Sequence, residues 1–358
     1  MIGSVQKKGA TMAKSWKKTL LATAASSGLT IAAIAGFLWV HPASFPSSSI
    51  EVRSIDDLRP YTVPGSSEFL FRNYRIAKTF SEEDYRSLPP ASWTPRPVNG
   101  NLDDVIPDPW PKAYLEVHKQ NFNPGSFPIN VNLLCNYLSS HPESREAIAS
   151  IFNALMGRLL EYSFPVGDAL FVRYDFRFPR ATYILEPGWV SGIGNGFALR
   201  GLMRIYDCTG EQRSLDLADK FANAFKIINT GSKSAPWFSY VDDFGFLWFD
   251  EYPSPDGRAS FVLNGHIHAT LGLLAYYRKR PEEWVLRMVQ GGITTVREYV
   301  HLYRRNGKVN RYALSDWHKP DYSPARTPRQ QRHLYQITGD PYFAATAKAF
   351  EQDMIKGD

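Results

Sequence analysis

The chain has 358 residues, 44% of them hydrophobic and 21% charged, which is the balance of a folded globular protein and excludes disorder over the whole length. Five units of its formal net charge of +6 are carried by Lys7, Lys8, Lys14, Lys17 and Lys18, which precede residue 50 without a single Asp or Glu. The remainder holds 36 basic against 35 acidic residues, so the folded body lacks the basic excess of a nucleic-acid-binding protein, and no nucleic-acid partner is expected.

Residues 1–18 read as a cytoplasmic tail. Residues 19–40, TLLATAASSGLTIAAIAGFLWV, contain no charged side chain and are long enough to cross a bilayer as a helix, which takes ~20 residues. The lysines stand just before this run, so the positive-inside rule places the N-terminus in the cytoplasm and the body outside it. The expected localisation is therefore a single-pass membrane protein. A signal peptide is the rival, with Ala43 in a short polar stretch open to cleavage, and it would make the protein secreted.

Residues 41–110 read as a tether and an irregular N-terminal lead, rich first in Pro and Ser and then in Pro alone, with one or two strands at most. From residue 111 the pattern turns helical. PINVNLLCNYLSSH and SREAIASIFNALMGRLLEYS carry apolar side chains at three- and four-residue spacing, the second with a stripe of Ile148, Ile151, Phe152, Leu155, Leu159 and Leu160. ALFVRYDFRF then alternates, and Pro179 and Arg180 separate it from ATYIL, which reads as a β-hairpin inserted between helices. Helical patterns return over 189–207, 212–228, 260–278, 282–300 and 340–354, with TGEQ and TGDP as turns between paired helices. The expected fold is mainly α: an α/α toroid, or incomplete α/α barrel, with one inserted hairpin. Cys135 and Cys208 are free to pair, but a fold of this size does not require it, and two buried thiols are expected.

Two stretches interrupt the helical pattern. Tyr240 to His268 gathers Asp242, Asp243, Asp250, Glu251 and Asp256 before any basic residue. Arg304 to Arg332 holds eight Lys/Arg against Asp316 and Asp321, interleaved with Tyr312, Trp317, His318 and Tyr322. Facing each other, they would form a cleft with an acid/base wall and a wall that binds carboxylates, since Arg pairs a carboxylate bidentately. Solvated surface loops have the same composition. Gly192, Gly194 and Gly196 lack the last glycine of a dinucleotide loop, and a glycine-rich helix start packed against a neighbour is expected instead. His266 and His268 stand two apart, which does not place them on one helix face, and neither CxxC nor Cys/His spacing occurs, so no metal site is expected.

WVSGIGNG (189–196), WFDEYPSP (248–255), SFVLNG (260–265), RYALSDW (311–317) and DYSPARTPRQQRHLYQITGDPYF (321–343) resemble, in order, the C-terminal domain of the D-glucuronyl carbon-5 epimerases. The likeness covers roughly residues 111–358. Glu-Tyr-Pro followed by Phe-Val-Leu-Asn-Gly is its most specific element. It implies an α/α-toroid catalytic domain that converts D-glucuronate to L-iduronate inside a heparosan-like polysaccharide, without a cofactor. It also implies catalytic roles for Glu251, Tyr252, Tyr312 and Tyr322, and beside these, substrate contacts are expected from Asn195, Asn264, Trp317, His318 and Arg326. Removing a proton beside a carboxylate from one face and returning it to the other requires two acid/base groups and a counter-charge. A tyrosine, ordinarily near pKa 10, acts as a base only where a cation or partner lowers it; Arg326 is the expected cation. The sequence departs from the family pattern by two extra residues between Tyr252 and Phe261 and by Ser315 or Asp316 where a basic residue is usual. A further departure is the helix after Tyr322, which opens with Pro324 and Pro328. A uronate lyase, or a non-catalytic anchored glycan-binding protein, satisfies the same residues. An acidic polysaccharide and the membrane are the expected partners, and a homodimer is the assembly the reading allows.

Overall fold

The structure is a computed structural model and describes residues 124–180, 182–229, 236–315 and 320–356. The expected tail, anchor and tether, residues 1–110, lie outside the described residues. Among the described residues no helix is long and apolar enough to cross a membrane.

The described chain is mainly helical, as its periodicity predicts. α1 (Ser126–Ser140) and α2 (Arg145–Glu161) are linked by a single 3-10 turn, Pro142–Ser144. The predicted stripe of α2 is the buried one, with Ile148, Phe152, Leu155 and Leu159 inside and Ile151 and Leu160 packed at its border. α3 (Gly192–Thr209) leads through Gly210 into α4 (Gln212–Asn223), and α5 (Leu263–Tyr277) precedes α6 (Glu283–Tyr303). α7 (Arg326–Thr338) leads through Gly339 into α8 (Pro341–Lys356). Gly210 and Gly339 adopt φ 75° and 69°, the left-handed conformation that ends a helix cheaply only at glycine, so the TGEQ and TGDP signals do mark helix stops. α7 falls in a stretch with little apolar period, because polar side chains share its buried face: Thr327, Gln330, Gln331 and Thr338 are inside beside only Leu334, Ile337 and Pro328. Pro328 sits in its first turn, where a missing N–H costs nothing.

The strands are more numerous than the predicted hairpin. β1 (Ser163–Val166) and β2 (Ala169–Tyr174) form an antiparallel hairpin about Gly167, and β2 also pairs with β5 (Trp189–Val190). The expected hairpin survives only as a two-residue ladder between β3 (Phe178–Pro179) and β4 (Ile184–Leu185). Proline cannot donate to a ladder, which keeps that element short. β6 (Ser239–Val241) and β7 (Leu247–Phe249) form a second hairpin inside the acidic stretch.

α3 and α5 are the central pair, and glycine permits their approach. A Cβ on Gly196 would lie 2.7 Å from the Ala269 Cα, and one on Gly272 would lie 2.5 Å from Gly196. Gly192, Gly194 and Gly196 therefore serve packing, as the sequence leads one to expect. Cys135 of α1 and Cys208 of α3 form a disulfide, with Cα atoms 5.8 Å apart, which corrects the expectation of two thiols. The residues are 73 apart in sequence, and only the packing of α1 on α3 brings them within bonding range.

Candidate functional site

β7 ends at Phe249, and the next two residues enter the core carrying carboxylates. Asp250 is a hub: its N–H donates to Phe238 O, its carbonyl accepts from Gly192 N, and its carboxylate accepts from Ser260 N and Oγ at 2.8 and 2.5 Å. Burial nevertheless raises its pKa to about 6. Ser260 in turn accepts Ser315 Oγ at its carbonyl, and Leu314 N donates to Phe261 O. Phe261 stands at φ 52°, a conformation that costs a non-glycine residue roughly 1–2 kcal/mol, and Tyr303 Oη holds its carbonyl. A Val262–Ala313 bridge completes the clamp. Through it, the acidic stretch carries the segment that bears Tyr312.

The clamp sets Glu251, Tyr252 and Tyr312 side by side. Tyr312 Oη donates to Glu251 Oε1 at 3.1 Å and lies 3.0 Å from Tyr252 Oη. Glu251 enters this space because residue 265 is glycine; any Cβ there would collide with the carboxylate. Glu251 Oε2 is buried without a protein hydrogen-bond partner. Desolvation raises the Glu251 pKa to about 7, against the opposing pull of both phenols, Arg326 and Arg180. Tyr252 and Tyr312 are pushed well above the ordinary phenol range, first by burial and then by the Glu251 charge. The expectation that a cation lowers these tyrosines is thus corrected: desolvation outweighs the guanidiniums, and the phenols stay protonated.

Arg180, which the sequence reading treated as a spacer, lies over the Tyr252 ring at 4.4 Å and 5.9 Å from the Tyr312 ring. It arrives on the β3–β4 turn, whose Tyr183 Oη donates to Tyr252 O, while Phe178 stacks on Tyr252 at 5.1 Å. Arg180, the second of two arginines inside the aromatic run FRFPRATY (176–183), was the available signal.

Tyr322 joins the group from the same basic stretch as Tyr312, its ring 5.5 Å from that of Tyr312. It is 71% exposed and lies in a turn that Asp321 closes by accepting Ser323 N. Arg326, the first residue of α7, lies over the Tyr322 ring at 4.3 Å. Burial raises the Tyr322 pKa as well, although Arg326 opposes it. Asn264, in the first turn of α5, is buried with Oδ1 lacking a protein partner. Trp317 and His318 lie outside the described residues. Asn195 does not belong to the site. It is fully buried, accepts Val172 N and donates to Leu170 O and Phe221 O, so its carboxamide serves packing and is closed to substrate. His266 is likewise spent, accepting Phe249 N at Nδ1 and facing Gly292 O through Nε2. Among the described residues no cluster of His, Cys, Asp or Glu is arranged to hold a metal ion.

A carboxylate with a near-neutral pKa, three neighbouring phenols and two guanidiniums form a site suited to moving a proton beside an anion. A family model described as the D-glucuronyl C5-epimerase C-terminus matches residues 167–352, just over half of the chain, and the chain belongs to that family. An uncharacterized protein of Methanocaldococcus jannaschii is 27% identical over 166 residues, 46% of this chain and 49% of that one. A D-glucuronyl C5-epimerase of Caenorhabditis elegans is 33% identical over 90 residues, 25% of this chain and 14% of that one. The chain thus spans about half or less of these curated relatives. Among solved structures, the cellobiose 2-epimerase from Spirochaeta thermophila has a TM-score of 0.43 at 12% identity, with 63% of this chain and 57% of that chain covered.

Proposed function

We propose that this chain epimerises carbon 5 of D-glucuronate to L-iduronate within a heparosan-like polysaccharide. The observation that carries the reading is the hydrogen-bonded Glu251–Tyr312–Tyr252 cluster lying between Arg180 and the Tyr322–Arg326 pair. Family membership supports it. The helix hairpins agree with an incomplete α/α toroid around such a site.

The chemistry follows from the protonation states. Glu251, with a pKa of about 7, is partly ionised at neutral pH, whereas Tyr252 and Tyr312 keep their protons. A phenol that takes the carbon-5 proton therefore passes its own to Glu251 through the existing Tyr312 Oη–Glu251 Oε1 bond. Tyr322 returns a proton from the other side of the sugar, and Arg180 and Arg326 neutralise the substrate carboxylate as charge builds on it. Arrangement is most of the effect, since pre-positioned donors do not reorganise during the step.

Incubating heparosan with the protein in deuterated water tests the proposal. Deuterium at carbon 5, with iduronate formed, is the expected result. An unsaturated product absorbing in the ultraviolet would assign a lyase instead, and binding without exchange would assign a glycan-binding protein.

We also propose that the catalytic body is exported behind an uncleaved anchor at residues 19–40. The lysine asymmetry supports this, and so does the disulfide, which belongs to an oxidising compartment. Protease added to cells with a permeabilised outer envelope should degrade the body; full protection there would sink the topology.

A further inference from the structure

The chain departs from the family pattern at Ser315 or Asp316, where a basic residue is usual, and the structure gives the Ser315 hydroxyl a definite partner. Ser315 Oγ donates to Ser260 O at 2.7 Å. The residues before it follow in register: Leu314 N donates to Phe261 O at 3.2 Å, and Ala313 bridges Val262 antiparallel. Residues 313–315 thus lie along 262–260 in reverse order, and Tyr312 is the next residue out. On its other side Arg311 N donates to Tyr303 O at 2.8 Å, and the Tyr303 hydroxyl donates to Phe261 O. Both flanks of Tyr312 are therefore referred to the same short segment.

That segment is fixed against its own preference. Phe261, at φ 52°, holds a left-handed conformation that a bulky residue keeps only where its surroundings over-determine it. Its ring is buried beside Trp248 and Tyr240, with centroids 5.0 and 5.9 Å away. One residue earlier, Ser260 donates both its N–H and its hydroxyl to the Asp250 carboxylate. Asp250 is itself tied at both main-chain groups, to Phe238 O and Gly192 N. The adjacent carboxylates 250 and 251 therefore reach Tyr312 by two routes. Glu251 meets the phenol directly at 3.1 Å, and Asp250 reaches it through Ser260 and Ser315. The circuit is closed, so the Tyr312 Oη–Glu251 Oε1 bond cannot lengthen without straining another bond in it.

We propose that Asp250, Ser260 and Ser315 are positioning residues that hold the Tyr312 hydroxyl on Glu251 for proton transfer, although none of the three carries the proton. This rests on the epimerase reading for the step that is timed, and on the hydrogen-bond circuit for the residues themselves.

Ser315→Ala tests it. The position is exposed, so losing one hydroxyl leaves the fold intact, and buried Val262 and Ala313 still keep water from the cluster. With heparosan as substrate and deuterium incorporation as the readout, kcat should fall about tenfold at unchanged KM. Ser315→Thr keeps a hydroxyl and should restore kcat. Asp250→Asn presents an amide N–H to a Ser260 donor, and should lose at least as much as Ser315→Ala. A second readout needs no turnover. Tyr312 supports the Glu251 anion, so a looser Tyr312 should raise the Glu251 pKa in Ser315→Ala, by about half a pH unit. Carbon-13 NMR titration of the Glu251 carboxyl, assigned with Glu251→Gln, reads that shift. The other ionisable groups facing Glu251, namely Tyr252, Tyr322, Arg180 and Arg326, are the same in both proteins. If the wild-type protein exchanges no deuterium, the epimerase reading fails while the titration still decides the positioning. A raised KM at unchanged kcat would make Ser315 a substrate contact and overturn the proposal. So would a Glu251 titration that stays in place or moves down, whatever happens to the melting temperature.

Discussion

Tyr322 is the exposed member of the cluster, and its hydroxyl carries a role that its ring does not. Tyr322→Phe keeps the ring beside Tyr312 and under Arg326, so stability should change by no more than about 1 kcal/mol, the scale of one hydrogen bond. Deuterium incorporation should fall ~100–10,000-fold, the contribution of a positioned acid/base. Near-wild-type exchange by the folded variant would reduce Tyr322 to a ring in the wall and move its role to Glu251, Tyr252 and Tyr312. Glu251 makes a separate prediction through pH. Its folded pKa of about 7 lies above the ordinary 4.5, so the folded state holds this proton more tightly than the unfolded chain does. The stability it contributes is complete below about pH 4.5 and is lost as pH rises through 7, to the extent of about 3 kcal/mol. Glu251→Gln removes that dependence. Its melting temperature relative to wild type should therefore shift in the variant's favour between pH 5 and pH 8, and a constant gap would show that Glu251 is not desolvated. In the wild type, the acidic limb of kcat/KM should fall with an apparent pKa near 7.

At the scale of elements, the α3–α5 crossing decides whether the site exists, because α3 positions Asp250 through Gly192 and α5 carries Gly265 and Asn264. Gly196→Ala would press a methyl onto the Ala269 backbone at 2.7 Å, where no flexible side-chain end is available to yield. A loss of about 1–3 kcal/mol is expected, since overpacking forces helices apart. Gly157, in the middle of α2, has nothing within 4 Å of an added Cβ, and Gly157→Ala should stabilise by about 0.5–1 kcal/mol. Urea denaturation of both variants reads the contrast, and equal effects would show that the crossing is looser than these distances.

Over the whole molecule, the Cys135–Cys208 bond ties α1 to the far end of α3 across 73 residues. Closing a loop of that length in the unfolded chain is worth about 4 kcal/mol in the chain-entropy account. The double Cys135→Ser, Cys208→Ser variant should lose a stability of that order, read by denaturant midpoint. Reduction of the wild-type protein should lower its midpoint similarly, whereas a midpoint indifferent to reductant would mean that the thiols are unpaired.

Much of this protein is legible from neighbouring residues. The helices of α2 to α6 follow from apolar period, the helix stops at Gly210 and Gly339 from a left-handed conformation that only glycine takes easily, and the family from Glu-Tyr-Pro ahead of Phe-Val-Leu-Asn-Gly. The four residues that resemblance singled out, Glu251, Tyr252, Tyr312 and Tyr322, do meet. What local pattern could not supply depends on which segments touch. Arg180 matters because the β3–β4 turn reaches Tyr252. Asn195 is lost to the site because β2 and α4 take its hydrogen bonds, and α7 escaped detection because polar side chains share its inner face with Leu334 and Ile337. The tyrosines keep their protons for the same kind of reason. Desolvation is a property of everything packed around a group, and a sequence records only the group.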